Sequence, residues 1–220
     1  MYRYSTTRFN STLITLGVIR IGTLYDFRRL EHENGICDPQ EGKKVVTHHI
    51  EDLFISDPND SVYQKSKDFR ALEEFRAIKL NANAKNTTLK NITFSKSFDH
   101  PDCFILCTSK YCSKQTMKQF DGAESCLQIE DINGFYHVVT ETLNSITSVV
   151  FRGVHEVKYQ NREEPWNGQD WGHHPALIKE PVFEPQGELR AIWQPRANKS
   201  IEPIIIGNYR LGTFCRIISM

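Results

Sequence analysis

EPVFEPQGELRAIW, residues 180 to 193, begins with a segment that contains two prolines and a glycine and ends in a mostly apolar run. The first part is typical of a loop, and the run from Gly187 onward predicts a β-strand. Glu188 lies at the change from loop to strand, two residues after Gln186 and two before Arg190. A carboxylate at this position either lies on the solvent side of the strand or faces a cleft in which it can act on a substrate.

The rest of the chain predicts many strands and a few helices in irregular order. Apolar alternation predicts strands over residues 2–5, 19–27, 43–55, 88–98, 102–109, 124–130, 148–160 and 187–193. Helical spacing predicts helices over 8–16, ended by Gly17, over 63–80, 114–120 and 131–146, the last capped by Asp131. The segments 201–207 and 211–219 predict a terminal hairpin, and 161–175 predicts a loop. Because strands outnumber helices and do not alternate with them regularly, the predicted class is α+β.

Composition limits the function classes. A chain of 220 residues with 39% hydrophobic residues suits one globular domain over residues 1–220. Lysine plus arginine and aspartate plus glutamate both total 27, so no overall positive charge is present to hold duplex DNA nonspecifically. The opening MYRYSTTRFN does not match a signal peptide, and no segment approaches the roughly 18 apolar residues of a membrane span. We therefore expect a cytoplasmic protein without a membrane partner.

The cysteines and histidines are candidate metal ligands, and the histidines are also candidate catalytic groups. In a chain of this size without a signal peptide, the six cysteines are interpreted as thiols. The spacing in SFDHPDCFILCTSKYC matches no common zinc pattern, so no metal site is expected.

A loop with Trp166, Trp171, His173 and His174 leaves two interpretations open. It could stack a base and supply a general acid, as a metal-independent RNase would need. Alternatively, it is a lid that is packed by its aromatic side chains.

Positive charge is concentrated near the start of the chain. Five arginines fall in the first 30 residues, where Asp26 is the only acidic residue. They are Arg3, Arg8, Arg20, Arg28 and Arg29. Such a cluster is either a solvated face or a surface that recruits a nucleotide phosphate, RNA or an acidic partner.

Three short stretches place polar residues on otherwise apolar strands: YRYS with Arg3 and Ser5, LCTS with Thr108 and Ser109, and QGELR with Gln186 and Glu188. Each stretch on its own is explained by a strand whose alternate residues face water. Together, and in this order, they resemble the Arg, Ser-Thr-Ser, Glu-x-Glu pattern of ADP-ribosyltransferases. The resemblance implies a fold of two packed, twisted β-sheets with flanking helices and NAD as the cofactor. Here Cys-Thr-Ser replaces Ser-Thr-Ser.

The resemblance to ADP-ribosyltransferases also implies a role for each of these residues. Arg3 would bind the NAD phosphates with its planar donors, and Ser5, Thr108 and Ser109 would shape the pocket. Glu188 would stabilise the positive charge that develops on the ribose as nicotinamide leaves. Gln186 would help to choose the acceptor, an unidentified protein or nucleic acid.

A second resemblance covers more of the chain. The series YRYSTTRF, GVIRIGTLYDFRR, DPQEG, FILCTS and Lys179 before EPQGELR is similar to a bacterial domain family of unassigned function linked to abortive infection and phage defence. Gln186 stands where that family prefers glutamate. The similarity implies a toxin-like or phage-defence effector in which Asp38 and Glu41 lie near the cleft and one of them pairs with Arg190. A nonenzymatic module that binds a nucleotide or a partner remains the alternative.

Overall fold

The computed structural model describes residues 1–29, 37–81, 85–197 and 199–219. Residues 30–36, between the strands predicted over 19–27 and 43–55, therefore lie outside the described residues. The described parts of Met1–Gly42, His100–Asn161 and Pro175–Met220 form unit 1, and those of Lys43–Asp99 and Arg162–His174 form unit 2. The sequence predicted one domain over 1–220, whereas the contacts divide the described chain into these two compact units.

Strands outnumber helices in the described residues, as the sequence predicted. The strands are β1 (Tyr2–Ser5), β2 (Val18–Thr23), β3 (Lys43–Ile55), β4 (Thr87–Asp99), β5 (Phe104–Ser109), β6 (Ser125–Ile129), β7 (Val149–Glu156), β8 (Lys158–Tyr159), β9 (Glu163–Pro165), β10 (Ile178–Lys179), β11 (Glu188–Pro195), β12 (Ile204–Gly207) and β13 (Cys215–Ile218). The helices are α1 (Thr7–Leu16), α2 (Ser61–Gln64), α3 (Lys67–Glu74), α4 (Lys114–Met117), α5 (Ile132–Ile146) and α6 (Arg210–Thr213). The class is α+β with mostly antiparallel sheets.

Unit 1 contains an eight-stranded sheet that branches at β5. One edge of β5 pairs along its full length with Glu188–Trp193 of β11. On the other edge, β2 reaches only the first two residues of β5, and β1 reaches only the last. The two strands therefore diverge beside Leu106–Thr108, and we call the space between them the wedge.

The two faces of the β5–β11 pair differ in character because successive side chains of a strand point to opposite sides. Leu106, Ala191 and Trp193 belong to the main hydrophobic core, together with apolar residues of α1 and α5. The opposite face carries Arg190, which is paired in register with Cys107. The register of β11 thus places one side in the core and leaves polar groups on the other.

Most predicted elements are confirmed where local signals are strong. The hydroxyl of Thr6 accepts a hydrogen bond from the Phe9 N–H at the start of α1, and Gly17 ends this helix in the left-handed region at φ 64°. Asp131 accepts from the Gly134 N–H and caps α5, as predicted. The predicted helix over 63–80 is too long, since α3 ends at Glu74 and Arg76 has a φ of 51°.

The predicted terminal hairpin is wrong. α6 separates β12 from β13, and the two strands do not pair with each other. β12 pairs with β2, and β13 pairs with β6. An alternating apolar pattern identifies a strand but does not identify its partner, so the nearest strand in sequence was the wrong choice.

Unit 2 contains a three-stranded sheet in the order β4-β3-β9. The long strands β3 and β4 are antiparallel, and β9, inside the segment predicted as a loop, runs parallel to β3. Phe69 and Leu72 of α3 pack on this sheet. His48 is buried beside Asp68 at 2.8 Å while His49 is exposed, so the two histidines face opposite sides of β3.

Among the helices of the described residues, none has the length and apolar character that a bilayer crossing requires.

Candidate functional site

A cavity of about 530 Å³ lies in the wedge of unit 1. Its walls include Arg3 and Ser5 of β1, Arg20 of β2, Cys107 of β5 and Glu188 of β11. This volume falls within the range of roughly 300–1,000 Å³ that is usual for small-molecule sites. Three stretches that are distant in sequence therefore meet at one concave surface.

The carboxylate of Glu188 is buried and held by two cations. Its Oε2 lies 2.8 Å from Nζ of Lys179, and its Oε1 lies 2.6 Å from Nε of Arg190. The main-chain N–H of Glu188 donates to the hydroxyl of Tyr159 at 2.6 Å. Burial alone would raise the pKa of Glu188, but the charges of Arg190 and Lys179 outweigh it and hold the pKa well below the usual range. The carboxylate is therefore ionised at neutral pH.

Arg190 continues the chain of charges to Glu41. Its Nη1 and Nη2 lie 2.6 and 2.9 Å from the two carboxylate oxygens of Glu41, and Nη1 also donates to the carbonyl of Ala176. Glu41 is one of the two partners that the sequence suggested for Arg190. Asp38, the other, is buried and accepts the Glu41 N–H at its carbonyl, so it shapes the turn that presents Glu41.

We call Glu41, Arg190, Glu188 and Lys179 the charge network. It contains two acids and two cations, so its formal charge is zero. The amide Oε1 of Gln186 accepts a further hydrogen bond from Lys179 at 2.8 Å. Removing four charges from water is costly, and the cost is offset only when each charge has close partners, as here. The network therefore fixes the orientation of Glu188.

The guanidinium of Arg3 has a different environment. Its Nη1 donates to Oδ1 of Asn10, and the side-chain amide of Asn10 donates in turn to Oγ of Ser125 at 2.8 Å. Burial lowers the pKa of Arg3 to about 10, which leaves it charged at neutral pH. Within the described residues, no carboxylate pairs with Arg3.

Two further arginines border the cavity. Arg20 is paired with the buried Asp26 at 2.6 Å. Arg8 of α1 is exposed, and its side chain forms no hydrogen bond or ion pair with the described residues. Arg3 and Arg8 are consequently cations without a compensating carboxylate, and they give this side of the cavity an affinity for anions.

The cavity reaches both faces of the sheet. By register, Tyr2, Ser109 and Glu188 share one face, so Arg3 lies on the other. Arg3 and Glu188 nevertheless line the same cavity, because the wedge leaves the sheet open beside the middle of β5. The anion-attracting side and the buried carboxylate therefore belong to one space.

The structure does not bring every predicted residue to this space. Ser5 lines the cavity, but Thr108 and Ser109 do not. The Ser109 hydroxyl donates to the carbonyl of Gln186 at 2.7 Å, and the Thr108 hydroxyl donates to the carbonyl of Leu189 at 3.4 Å. Both hydroxyls thus fix the start of β11 instead of facing the cavity. Thr108 lies on the core face of β5 with Leu106, and Ser109 lies on the opposite face, where its hydroxyl is held by the main chain of Gln186.

Sequence reasoning missed the roles of Lys179 and Asn10. Lys179 lies nine residues before Glu188, on a two-residue strand that pairs with β8, and this pairing leaves no pattern in the sequence. Asn10 had a usable signal, since it lies three residues before Leu13 on the buried face of α1. A polar residue in that position requires a buried partner, which here is Arg3.

The histidines of the RNase alternative lie in unit 2. His173 and His174 are both exposed. Trp166 is buried, and the ring of Trp171 packs at 5.1 Å from that of Phe75, which is the aromatic packing expected of the lid interpretation. No group of three or more His, Cys, Asp or Glu residues in the described parts of the chain could hold a metal ion.

Comparisons of the chain with protein-family models, with curated proteins and with solved structures found no match.

Proposed function

We propose that unit 1 binds NAD in the wedge and that the protein is an ADP-ribosyltransferase-like effector. The observation that carries the proposal is that the uncompensated guanidinium of Arg3 and the carboxylate of Glu188 line one cavity. The same proposal includes a two-sheet arrangement of the ADP-ribosyltransferase type, a toxin or phage-defence role, and an unidentified protein or nucleic-acid acceptor.

The proposal that the wedge binds NAD is supported by the positive charge and the apolar surface that line one cavity. NAD carries two negative phosphates, and the planar fork of Arg3, with Arg8 beside it, matches them in charge and geometry. Phe9, Phe27 and Phe120 also line the cavity, so it combines positive charge with apolar aromatic side chains, as a dinucleotide with two ring systems requires. An anionic ligand without rings would leave these aromatic surfaces unused.

Chemistry is supported by the ionised state of Glu188. In ADP-ribosyl transfer the bond between ribose and nicotinamide breaks, and nicotinamide leaves with the electron pair. A lone pair of the acceptor forms the new bond to the ribose, and the acceptor's proton is released to solvent. A fixed carboxylate stabilises the positive charge that develops on the ribose in between. Because its pKa is held low, Glu188 suits this electrostatic role better than proton transfer. Lys179 and Arg190 already neutralise part of its charge, so catalysis would require one of them to turn toward the phosphates.

Titration calorimetry with NAD tests the binding step. We expect Arg3→Gln to weaken NAD binding by about 10- to 100-fold, because a charge-assisted bond to a phosphate is lost. Arg152→Gln is the matched control, since Arg152 is an exposed arginine of unit 1 that does not line the cavity. Equal affinity of wild type and Arg3→Gln for NAD would show that Arg3 does not bind the NAD phosphates.

Labelled NAD incubated with the protein and a cell lysate tests the transfer step. We expect label to enter a macromolecule with wild type and not with Glu188→Gln, while Glu188→Gln still binds NAD. NAD binding without any labelled product in wild type would contradict the transferase and leave a nonenzymatic nucleotide-binding module. Full transfer by Glu188→Gln would rule out a catalytic Glu188.

A further inference from the structure

Cys112 and Cys126 bring two thiols together in unit 1. Cys126 belongs to β6 and is buried, whereas Cys112 lies in the segment after β5 and is exposed. Both thiols are free, and their side chains form a hydrogen bond with each other. One thiol of the pair is therefore open to solvent, while its neighbour lies inside the protein.

The side chain of Tyr4 holds Cys112 beside β6. The Tyr4 hydroxyl donates to the carbonyl of Tyr111 at 2.7 Å and accepts the N–H of Ser113 at 2.9 Å, so it binds the main chain on both sides of Cys112. Tyr4 is also the register partner of Cys126 in the pair of β1 with β6, where opposite residues lie about 5 Å apart. Main-chain hydrogen bonds and sheet register together therefore place the two thiols in contact.

The two thiols differ in their access to solvent and in their acidity. Cys112 lines a second cavity of unit 1, of about 800 Å³, so a small disulfide in solution can reach its sulfur. Burial raises the pKa of Cys126 to about 11, which keeps this thiol protonated at neutral pH. Reaction with an external disulfide therefore begins at Cys112, because the attacking sulfur must be accessible.

We propose that Cys112 and Cys126 are a redox modification site that forms a reversible disulfide. The thiolate of Cys112 attacks one sulfur of a low-molecular-weight disulfide such as oxidised glutathione, which gives a mixed disulfide and releases one thiol. The Cys126 thiol then loses its proton, attacks the Cys112 sulfur and expels the second thiol. Two electrons and two protons thus pass from the protein to the oxidant, which leaves as two thiols. An excess of reduced thiol reverses both steps.

The disulfide would fasten the segment that supports the start of β11. In this segment the Lys110 N–H donates to the Gly187 carbonyl at 2.9 Å, and the Thr116 hydroxyl donates to the Pro185 carbonyl at 3.2 Å. A covalent bond at Cys112 joins the segment to β6 on the far side of β1. The oxidised protein is therefore expected to resist unfolding more than the reduced protein, because the bond restricts the unfolded chain.

Mass spectrometry of the wild-type protein after incubation with oxidised glutathione tests the pair. We expect wild type to lose the mass of two hydrogen atoms and peptide mapping to join Cys112 to Cys126. Cys126→Ala should instead keep one glutathione on Cys112, because the thiol that expels it is gone. Cys112→Ser, at an exposed position, should fold normally and form no cross-link. Cys37→Ser removes a partly exposed cysteine of unit 1 outside the pair and should behave like wild type.

Three results of this experiment would overturn the modification site. They are wild-type protein that retains glutathione on Cys112, a disulfide that joins Cys112 to a different cysteine, and no reaction at either sulfur. A cross-link to Cys126 that persists in Cys112→Ser would also overturn it.

Thermal unfolding of the oxidised and reduced proteins tests whether the bond fastens the segment. We expect the midpoint of oxidised wild type to lie about 5–10 °C above that of the reduced protein. Cys112→Ser treated with the same oxidant is the control, and its midpoint should not change. An equal or lower midpoint for the oxidised wild type would contradict a stabilising bond between this segment and β6.

Discussion

Both units bury charge, but they do so differently. In unit 2 the side chain of Lys44 is 1% exposed, and its Nζ lies 2.7 Å from Oε1 of Glu164 and donates to the carbonyl of Trp171. It also lies 5.4 Å from the ring of Phe98. In unit 1 the charge network lines a cavity, with two neighbouring arginines that have no carboxylate. Buried charge alone therefore does not mark a site, and our proposal for unit 1 depends on the cavity and the two arginines beside the buried charge.

Removing Arg190 from the charge network should have the largest effect on the free energy of unfolding. We expect Arg190→Met to lower the free energy of unfolding by about 3–5 kcal/mol, because it leaves Glu41 and Glu188 buried without their shared partner. Urea denaturation of this variant and of the exposed control Arg152→Met measures it. A loss that does not exceed that of the control would mean that the network charges are hydrated in solution.

Removing the buried charge of Lys44 in unit 2 should lower the free energy of unfolding less than removing Arg190. We expect Lys44→Met to cost about 1–3 kcal/mol, since methionine keeps most of the apolar stem and Glu164 is 20% exposed and can turn to water. The same urea titration provides the comparison. If Lys44→Met costs more than Arg190→Met, the ranking of the two regions is reversed.

Lowering the pH should gradually remove the stabilisation that the ionised Glu188 contributes to the folded state. Because the folded-state pKa of Glu188 lies below its unfolded value of about 4.3, the unfolded state binds the proton more tightly. The stabilisation is therefore complete above that value and is lost as the pH falls below it, by at most about 1.4 kcal/mol per pH unit. Unfolding free energies of wild type and Glu188→Gln between pH 7 and pH 3 should converge as the pH falls. A constant difference over this range would show that Glu188 is not held ionised.

Local chemistry made much of the fold predictable. The end of α1 at Gly17 and the cap of α5 at Asp131 each depend on one residue and its near neighbours. The strand that begins at Glu188 follows from a glycine and an apolar run. The pairing of Arg190 with Glu41 was expected from resemblance, since 149 residues separate them and no local pattern connects them.

Partner choice and register could not be predicted in the same way. β12 and β13 have the alternation of strands, but their partners depend on which sheet edges the rest of the chain leaves free. Register also decides that Thr108 shares the core face of β5 with Leu106, while Cys107, on the opposite face, lines the cavity. The wedge is a gap between β1 and β2. No residue or motif in the sequence indicates where two neighbouring strands separate.

A crystal structure of the wild-type protein with saturating NAD tests whether the wedge holds a dinucleotide. We predict density in the wedge with the phosphates at Arg3 and the nicotinamide ribose on the side of Glu188. NAD density at another surface, or an empty wedge in crystals with NAD bound elsewhere, would contradict the account.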